Sequence, residues 1–559
     1  RCTRMNLPQA ADRDLREAMQ ACIRSLRAGE TPGAKAAFVH LVKSGAPEND
    51  SVVRRYLTRA LAEPWCRPGQ LVPATFALIR SQGAVGQCIE RALGAWPGSL
   101  SKQELFGADG LAAMAADDLL VAVLENTPAI GLEFEHFLTL ARRAILIHVA
   151  SPSVEPGDAS LLRVACALAR QCYINEYVYN RTAEEDEAVA WLREKMSNRS
   201  ETNAESGAAI AAFASYAPLH SIADCERLAS AMMQPPLAGL FAQQVKEPLR
   251  ENEYRATLRK LTPIDDVTSK AVGHQYEANP YPRWVRSPSV ESISFRAFVE
   301  NELGLDAGAL ARRNDRIDVL IAGCGTGQQS IQTAQRFSGA RILAVDLSAA
   351  SLAYARRKTR ELRLSNVEYA QADILQLDRL GKTFDYIECV GVLHHLDDPL
   401  RGWRVLRSLL RPGGIMRIGL YSALARRDIA AAARQAAELG YTPTAEHIRR
   451  FRLDLQLQDR WRPFRALVKL EDFYDTSGCR DLLFHVKEHR FTMEEIKRAL
   501  AELELQFVRF NVDADVQHRY SQRFPGELAR TDLTSWNQFE LEHPDTFVGM
   551  YNFYVRHHA

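Results

Sequence analysis

The residues best placed to do chemistry begin at Asp318-Val-Leu-Ile-Ala-Gly323-Cys324-Gly325-Thr326-Gly327. An apolar run ending in alternate glycines before a helical pattern reads as strand, tight turn and helix. Glycine permits the turn and lets the backbone approach a ligand with no Cβ in the way. Several classes of nucleotide-bearing cofactor use such a loop, so the loop alone decides little. Two features narrow it. The dinucleotide fingerprint needs a third glycine where this chain has Gln328. Asp346 ends the next apolar run, 346 − 323 = 23 residues on, where a carboxylate can accept both hydroxyls of a ribose.

Further stations follow in order. Asp373-Ile374 comes after a third strand, as if a carboxylate there were to meet an amino group of a ligand. The fourth strand, Phe384–Val390, runs into Gly391-Val392-Leu393-His394-His395. Imidazole titrates near neutrality, which makes His394 and His395 candidates for a general base. Arg411-Pro412-Gly413-Gly414 then turns into a strand over Ile415–Tyr421. A second constellation lies later, from Asp472 through Asp475, Arg480, Asp481, His485, Glu488 and His489. His485 and His489 with Glu488 would form a base relay, with Asp472 and His489 toward the substrate. The alternatives are structural hydrogen bonding or a metal, since the HxxEH spacing also serves zinc. Phe484 and Val486 flank His485 and favour strand or loop over helix, so no metal is expected. Before the first strand, Tyr276, Tyr281 and Trp284 offer ring faces to a cation, or anchor a proline-rich linker.

These stations need a scaffold. From about residue 315, strands and helices alternate with short connections, which implies a parallel sheet covered on both faces. Thr492 with Glu495 caps a late helix, and strands follow over Gln506–Val512 and Phe547–Val555. Residues 1–260 read as helix after helix: Asp14–Leu26, Ser51–Leu61, Leu71–Ile79, Gly110–Leu124, Phe134–Ile147, Leu161–Ala169 and Glu184–Leu192. The last starts at a capping box, Thr182 and Glu185. Helical hairpins of a tetratricopeptide-like kind are expected, although no steady period is visible. Residues 196–208 are polar and small, a hinge within this half. Residues 261–314 read as a linker, a segment that would cover whatever cofactor the sheet edge binds. Pro280 and Pro282 forbid regular helix through Gln275–Trp284. Residues 315–559 hold the sheet, with a helical, arginine-rich insertion over 423–465. Its arginines, 449, 450, 452, 460, 462 and 465, alternate with acids and suggest a solvated face.

Composition sets outer limits. Hydrophobic residues at 47% and charged residues at 25% are globular proportions and exclude a disordered or fibrous chain. Seventy basic against sixty-nine acidic residues leave +1, giving no general attraction to nucleic acid or anionic membrane. No apolar run spans a bilayer, no secretory signal is evident, and ten scattered cysteines without CxxC pairs suggest reduced thiols in a cytoplasmic protein.

The ordered set, from the glycine loop through Asp346, Asp373 and the VLHH turn to the Pro-Gly-Gly turn, resembles the class I S-adenosylmethionine-dependent methyltransferases. The resemblance covers roughly residues 270–559. It implies a Rossmann-like, seven-stranded α/β sheet preceded by an all-helical domain, with S-adenosyl-L-methionine as cofactor. It assigns the methionine portion to Gly323, Cys324, Gly325, Thr326 and Gly327, the ribose to Asp346 with Leu347 flanking the adenine, and the adenine to Asp373 and Ile374. Val390 and Gly391 would face the methyl donor. No Asn/Asp-Pro-Pro-aromatic tetrad follows the fourth strand, which points away from amide and exocyclic-amine methylation and toward an O, C or side-chain N nucleophile. The acceptor would be a small molecule, a carrier-bound group, or a peptide or protein, with a protein partner on the helical half. The other readings are a cofactor-binding scaffold without turnover and an NAD(P)-dependent oxidoreductase.

Overall fold

The computed structural model describes residues 7–45, 49–151, 158–197, 205–231, 234–307, 316–526 and 528–557. They divide into two compact units, each discontinuous in sequence: Arg1–Leu249 with Arg283–Ser289 and Thr444–Cys479, and Arg250–Pro282 with Val290–Pro443 and Arg480–Ala559.

The first unit is helical. Leu132–Ala150 is buried nearly all round, through Phe134, Phe137, Leu138, Leu140 and Ile145 among others, as befits a central helix. Thr182 and Glu185 form their capping box: the Thr182 amide donates to Glu185 Oε2 at 2.8 Å and the Glu185 amide to Thr182 Oγ1 at 3.3 Å. The helix expected over Gly110–Leu124 is two, Gly110–Ala116 and Asp118–Asn126. Asp117 breaks it because its carboxylate caps the second helix, accepting from Leu119 N at 3.0 Å and Leu120 N at 3.1 Å. Helix starts at residues 7, 32, 51, 72 and 83 show no steady repeat. The expected hinge over 196–208 falls largely on 198–204, which lie outside the described residues.

The arginine-rich insertion is not one solvated module. Ala445–Leu457 belongs to the helical unit, whereas Arg427–Glu438 stays with the sheet. Arg452 is the reason: it is 2% exposed, its guanidinium grips Glu135 through two bonds of 3.0 and 2.6 Å, and it also donates to the Phe473 and Val178 carbonyls. Breaking such a buried pair from one side costs about 3–5 kcal/mol.

The second unit holds a sheet of eight strands: β1 Arg259–Lys260, β2 Asp318–Ala322, β3 Arg341–Asp346, β4 Val367–Gln371, β5 Phe384–Val390, β6 Leu410–Tyr421, β7 Leu505–Phe510 and β8 Met550–His557. Their order is β1-β4-β3-β2-β5-β6-β8-β7. Seven are the expected strands. The eighth, β1, is a two-residue edge that pairs with Ala370 and Gln371, so the break expected at 260 falls at 249/250 instead. The sheet is parallel from β1 to β6, but β8 runs antiparallel between β6 and β7. Alternate residues of one strand feed opposite cores. Leu320 and Ala322 pack with Ile387, Met416 and Trp403, while Val319 and Ile321 pack with Phe295, Phe337 and Leu352. That two-sided burial is why the strands read as unbroken apolar runs. Strand order reverses between β2 and β5, which places the ligand crevice at their carboxyl ends.

The segment before β2 is more ordered than a linker. A helix spans Val267–Ala278, capped by Asp266, which accepts from Ser269 N at 2.8 Å. The irregular stretch predicted from Gln275 therefore begins only at Asn279, just before the prolines. Residues 308–315 lie outside the described residues.

Candidate active site

The glycine loop follows β2 at the switch point. Gly323, Gly325 and Gly327 take φ of +77°, +50° and +83°, a region that disfavours side chains. A Cβ on Gly323 would stand 2.3 Å from Val392 Cγ2, and one on Gly327 2.5 Å from Ala355 Cβ. These two glycines thus serve the protein's own packing as well as ligand approach. Gly327 also caps the helix Gln328–Arg336. Thr326 Oγ1 donates to the Pro282 carbonyl, tying the proline segment to the loop. Cys324 is buried, and burial pushes its thiol well up, so it is an inert wall of the loop.

Asp346 ends β3. Its Oδ2 accepts from Gly325 N at 2.8 Å and its Oδ1 from Ser348 N at 2.9 Å. Burial raises its carboxyl pKa, the backbone amides of Ser348, Gly325 and Leu347 oppose the rise, and no cation pairs with it among the described residues. A carboxylate has about four acceptor sites, so two remain, the number a ribose diol needs. Leu347 beside it packs against Gly273 of the covering helix. Asp373 Oδ1 caps the turn that starts at Ile374 by accepting from Leu375 N at 2.9 Å, while Oδ2 is buried beside the Ser269 hydroxyl without a close hydrogen bond. That acceptor suits an amino donor such as that of adenine. Gly391, after Val390, takes φ +78°. These residues fit S-adenosylmethionine.

The covering helix reaches across this edge. Ser348 Oγ lies 3.0 Å from the Tyr276 carbonyl, and Glu277 accepts from Ala350 N at 3.0 Å. The Tyr276 hydroxyl donates to Asp481 Oδ1 at 2.5 Å and lies 3.1 Å from His485 Nε2. Tyr421, the last residue of β6, donates its hydroxyl to Asp481 Oδ2 at 3.2 Å. The loop carrying His485 is pinned here because His489 N donates to the His394 carbonyl and Phe491 N to the Tyr421 carbonyl, both at 2.8 Å.

Backbone groups of a single residue fix two tautomers. The Lys487 carbonyl sits 2.8 Å from His395 Nδ1, which must therefore donate, leaving Nε2 bare. The Lys487 amide donates to His485 Nδ1 at 3.1 Å, so His485 carries its proton on Nε2, facing Tyr276 and Asp481. His394 Nδ1 accepts from Tyr421 N at 3.3 Å, and its protonated Nε2 is buried without a partner. Of the three histidines, only His395 presents a free nitrogen lone pair. Burial, reinforced by His485, lowers its pKa to about 3. Burial likewise holds His394 well below its ordinary range and lowers His485.

The expected relay of His485, Glu488 and His489 does not assemble. Glu488 pairs with buried Arg426 at 2.8 Å. His489 is 41% exposed and points to Glu495 at 3.5 Å. Asp472 belongs to the helical unit. Tyr281 contributes its carbonyl, 3.0 Å from where a Gly325 Cβ would stand. Sequence reading gave no role to Asp481, Tyr421 or Arg426. The available signals were the i, i+4 spacing of Asp481 and His485, and the place of Tyr421 at a strand's carboxyl end. His395, Asp481 and His485 bring donor atoms within 4.8 Å of one another. The two rings, however, stack at 3.6 Å and 22°, so their in-plane lone pairs run side by side, and His485 has its proton on the inward nitrogen. The set is built as a hydrogen-bond chain and does not fit a metal.

A family model described as a methyltransferase domain matches residues 319–414. An uncharacterised protein of Synechococcus sp. is 33% identical over 168 residues, 30% of this chain and 40% of that protein. Trans-aconitate 2-methyltransferase of Deinococcus radiodurans is 37% identical over 113 residues, 20% of this chain and 41% of that protein. Among solved structures, PKMT2 from Rickettsia typhi in complex with AdoHcy aligns with a TM-score of 0.37 and 20% identity, over 50% of this chain and 55% of that one. The chain spans about two fifths of the length of these two curated relatives. The matched residues lie within the sheet unit, which carries a methyltransferase domain.

Proposed function

We propose that the protein transfers a methyl group from S-adenosylmethionine to an acceptor nucleophile, with an oxygen as the favoured acceptor atom. The observation that carries this reading is Tyr276. Its carbonyl engages Ser348 beside the ribose acid, and its hydroxyl engages Asp481, which puts cofactor cradle and proton-handling groups on one sheet edge. Bound there, S-adenosylmethionine supplies a methyl group already activated on a sulfonium. The chain's own residues hold the nucleophile and take its proton. His395 Nε2 is the acceptor, Lys487 fixes its ring, and Asp481, oriented by two phenols, lies close enough to steady the imidazolium. The match to a trans-aconitate 2-methyltransferase supports a small-molecule acceptor, whereas the large helical unit supports a carrier-bound or peptide acceptor, or a protein partner. Loss of the third dinucleotide glycine at Gln328 disfavours an NAD(P) oxidoreductase, and the intact loop and Asp346 disfavour a scaffold without turnover.

Among the described residues no helix is long and apolar enough to cross a membrane, and nine cysteines are free, which supports a cytoplasmic site of action. Calorimetry with S-adenosylhomocysteine, NAD and NADP tests the cofactor: binding of a dinucleotide with none of the thioether overturns the reading. Labelled S-adenosylmethionine with cell lysate then sorts labelled protein from labelled small molecules and identifies the acceptor class.

A further inference from the structure

On the sheet unit, a cavity of about 100 Å³ is lined by the helix Gln328–Arg336 and by side chains from β5, β6 and β8. Its polar groups are unevenly satisfied. Glu388 of β5 is 3% exposed, and both its oxygens are engaged: Oε2 accepts from the Gln329 amide and from Thr333 Oγ1 at 3.2 Å, and Oε1 from the Tyr386 hydroxyl at 2.8 Å. Arg417 stands directly opposite on β6. It spends only Nε, on Asn552 Oδ1 at 3.2 Å. Among the described residues its terminal nitrogens have no partner and it forms no ion pair. The Tyr554 hydroxyl and the Gln332 amide line the same cavity and also lack partners among the described residues. The carboxylate is answered by three donors, while the guanidinium opposite has one hydrogen-bond acceptor and otherwise only the charge of Glu388 acting through space.

A guanidinium partly withdrawn from water gains from acceptors around its fork, and oxyanions satisfy it bidentately. We infer that this cavity binds a small oxyanion of the carboxylate, phosphate or sulfate class, held by Arg417 with the Tyr554 hydroxyl and the Gln332 amide. The volume is that of about three water molecules at roughly 30 Å³ each, which admits acetate or phosphate whole but citrate only in part. The site is separate from the methyl-transfer chemistry, and its failure would leave that reading untouched.

The test is calorimetric titration of the full chain with acetate, phosphate and sulfate at fixed ionic strength, with chloride and citrate as controls. Saturable binding of at least one of the three, with chloride and citrate at least tenfold weaker, is expected. Arg417→Gln should weaken it at least tenfold and Tyr554→Phe about threefold. If Arg417→Gln does not fold, Tyr554→Phe and Gln332→Leu carry the same comparison. Titrations indistinguishable from chloride, citrate binding as tightly as acetate, or variants that bind like the parent would each overturn the assignment, leaving a cavity that holds water alone.

Discussion

Replacing His395 by Gln should make the sheet unit less sensitive to acid. The native imidazole is neutral because it is buried and stacked on His485, with a pKa of about 3 against an ordinary 6.5. The unfolded chain therefore binds a proton below pH 6.5 that the native state refuses until about pH 3. Wherever the unfolded state holds more protons, stability falls as pH falls, so the window of loss runs from 6.5 down to 3. At pH 5 the imbalance spans about 1.5 pH units at about 1.4 kcal/mol each, so this one side chain destabilises by about 2 kcal/mol. Gln keeps an N–H for the Lys487 carbonyl but does not titrate. Hydrogen exchange of β5 and β6 peptides at pH 7 and pH 5 isolates the sheet unit from the helical one. The parent should lose about 2 kcal/mol more than His395→Gln between the two pH values. Equal losses in both proteins would refute the claim that His395 is held neutral by its surroundings.

Four further outcomes are expected. Asp346→Ala should weaken S-adenosylhomocysteine binding by about 1–3 kcal/mol, measured by calorimetry; unchanged affinity removes Asp346 from the site. Gly323→Ala should lower the thermal midpoint through about 1–2 kcal/mol of left-handed strain plus a clash with Val392; adding Val392→Ala should recover the clash but not the strain, and a double variant no better than the single contradicts the packing argument. Arg452→Met should cost the helical unit about 3–5 kcal/mol in urea unfolding, and the companion Glu135→Leu should return much of it, because the damage is the stranded carboxylate. Glu488→Gln should reduce stability by loosening Arg426 yet leave the pH profile of turnover in place, whereas His395→Gln should lower turnover and remove the acid limb that the base sets; a shifted profile for Glu488→Gln would return that residue to proton transfer.

The helical unit also changes how truncation must be read. Its third segment, Thr444–Cys479, is threaded back from beyond β6 and anchored through Arg452 to Glu135. Removing residues 1–250 would strand that guanidinium, so loss of activity in such a fragment cannot be assigned to lost acceptor recognition.

Sequence by itself determined the seven principal strands, the capped helices, the glycine loop and the acids after β3 and β4. Each of these is written in local periodicity, or in a residue whose backbone conformation or hydrogen bonds lie within a few positions of it. Asp117 went unread, because apolar periodicity runs straight through it from Gly110 to Leu124 and only the structure shows its carboxylate capping a second helix. Tertiary structure alone decided which titratable groups meet. His485 and Glu488 are three residues apart yet face different partners, because a loop has no fixed period to set side-chain direction. Asp481 acquires its role from Tyr276, 205 positions away, and Tyr421, 60 positions away. The protonation of His395 and His485 rests on backbone groups of one residue, Lys487. Such contacts are products of chain closure, and no spacing rule along the sequence encodes them.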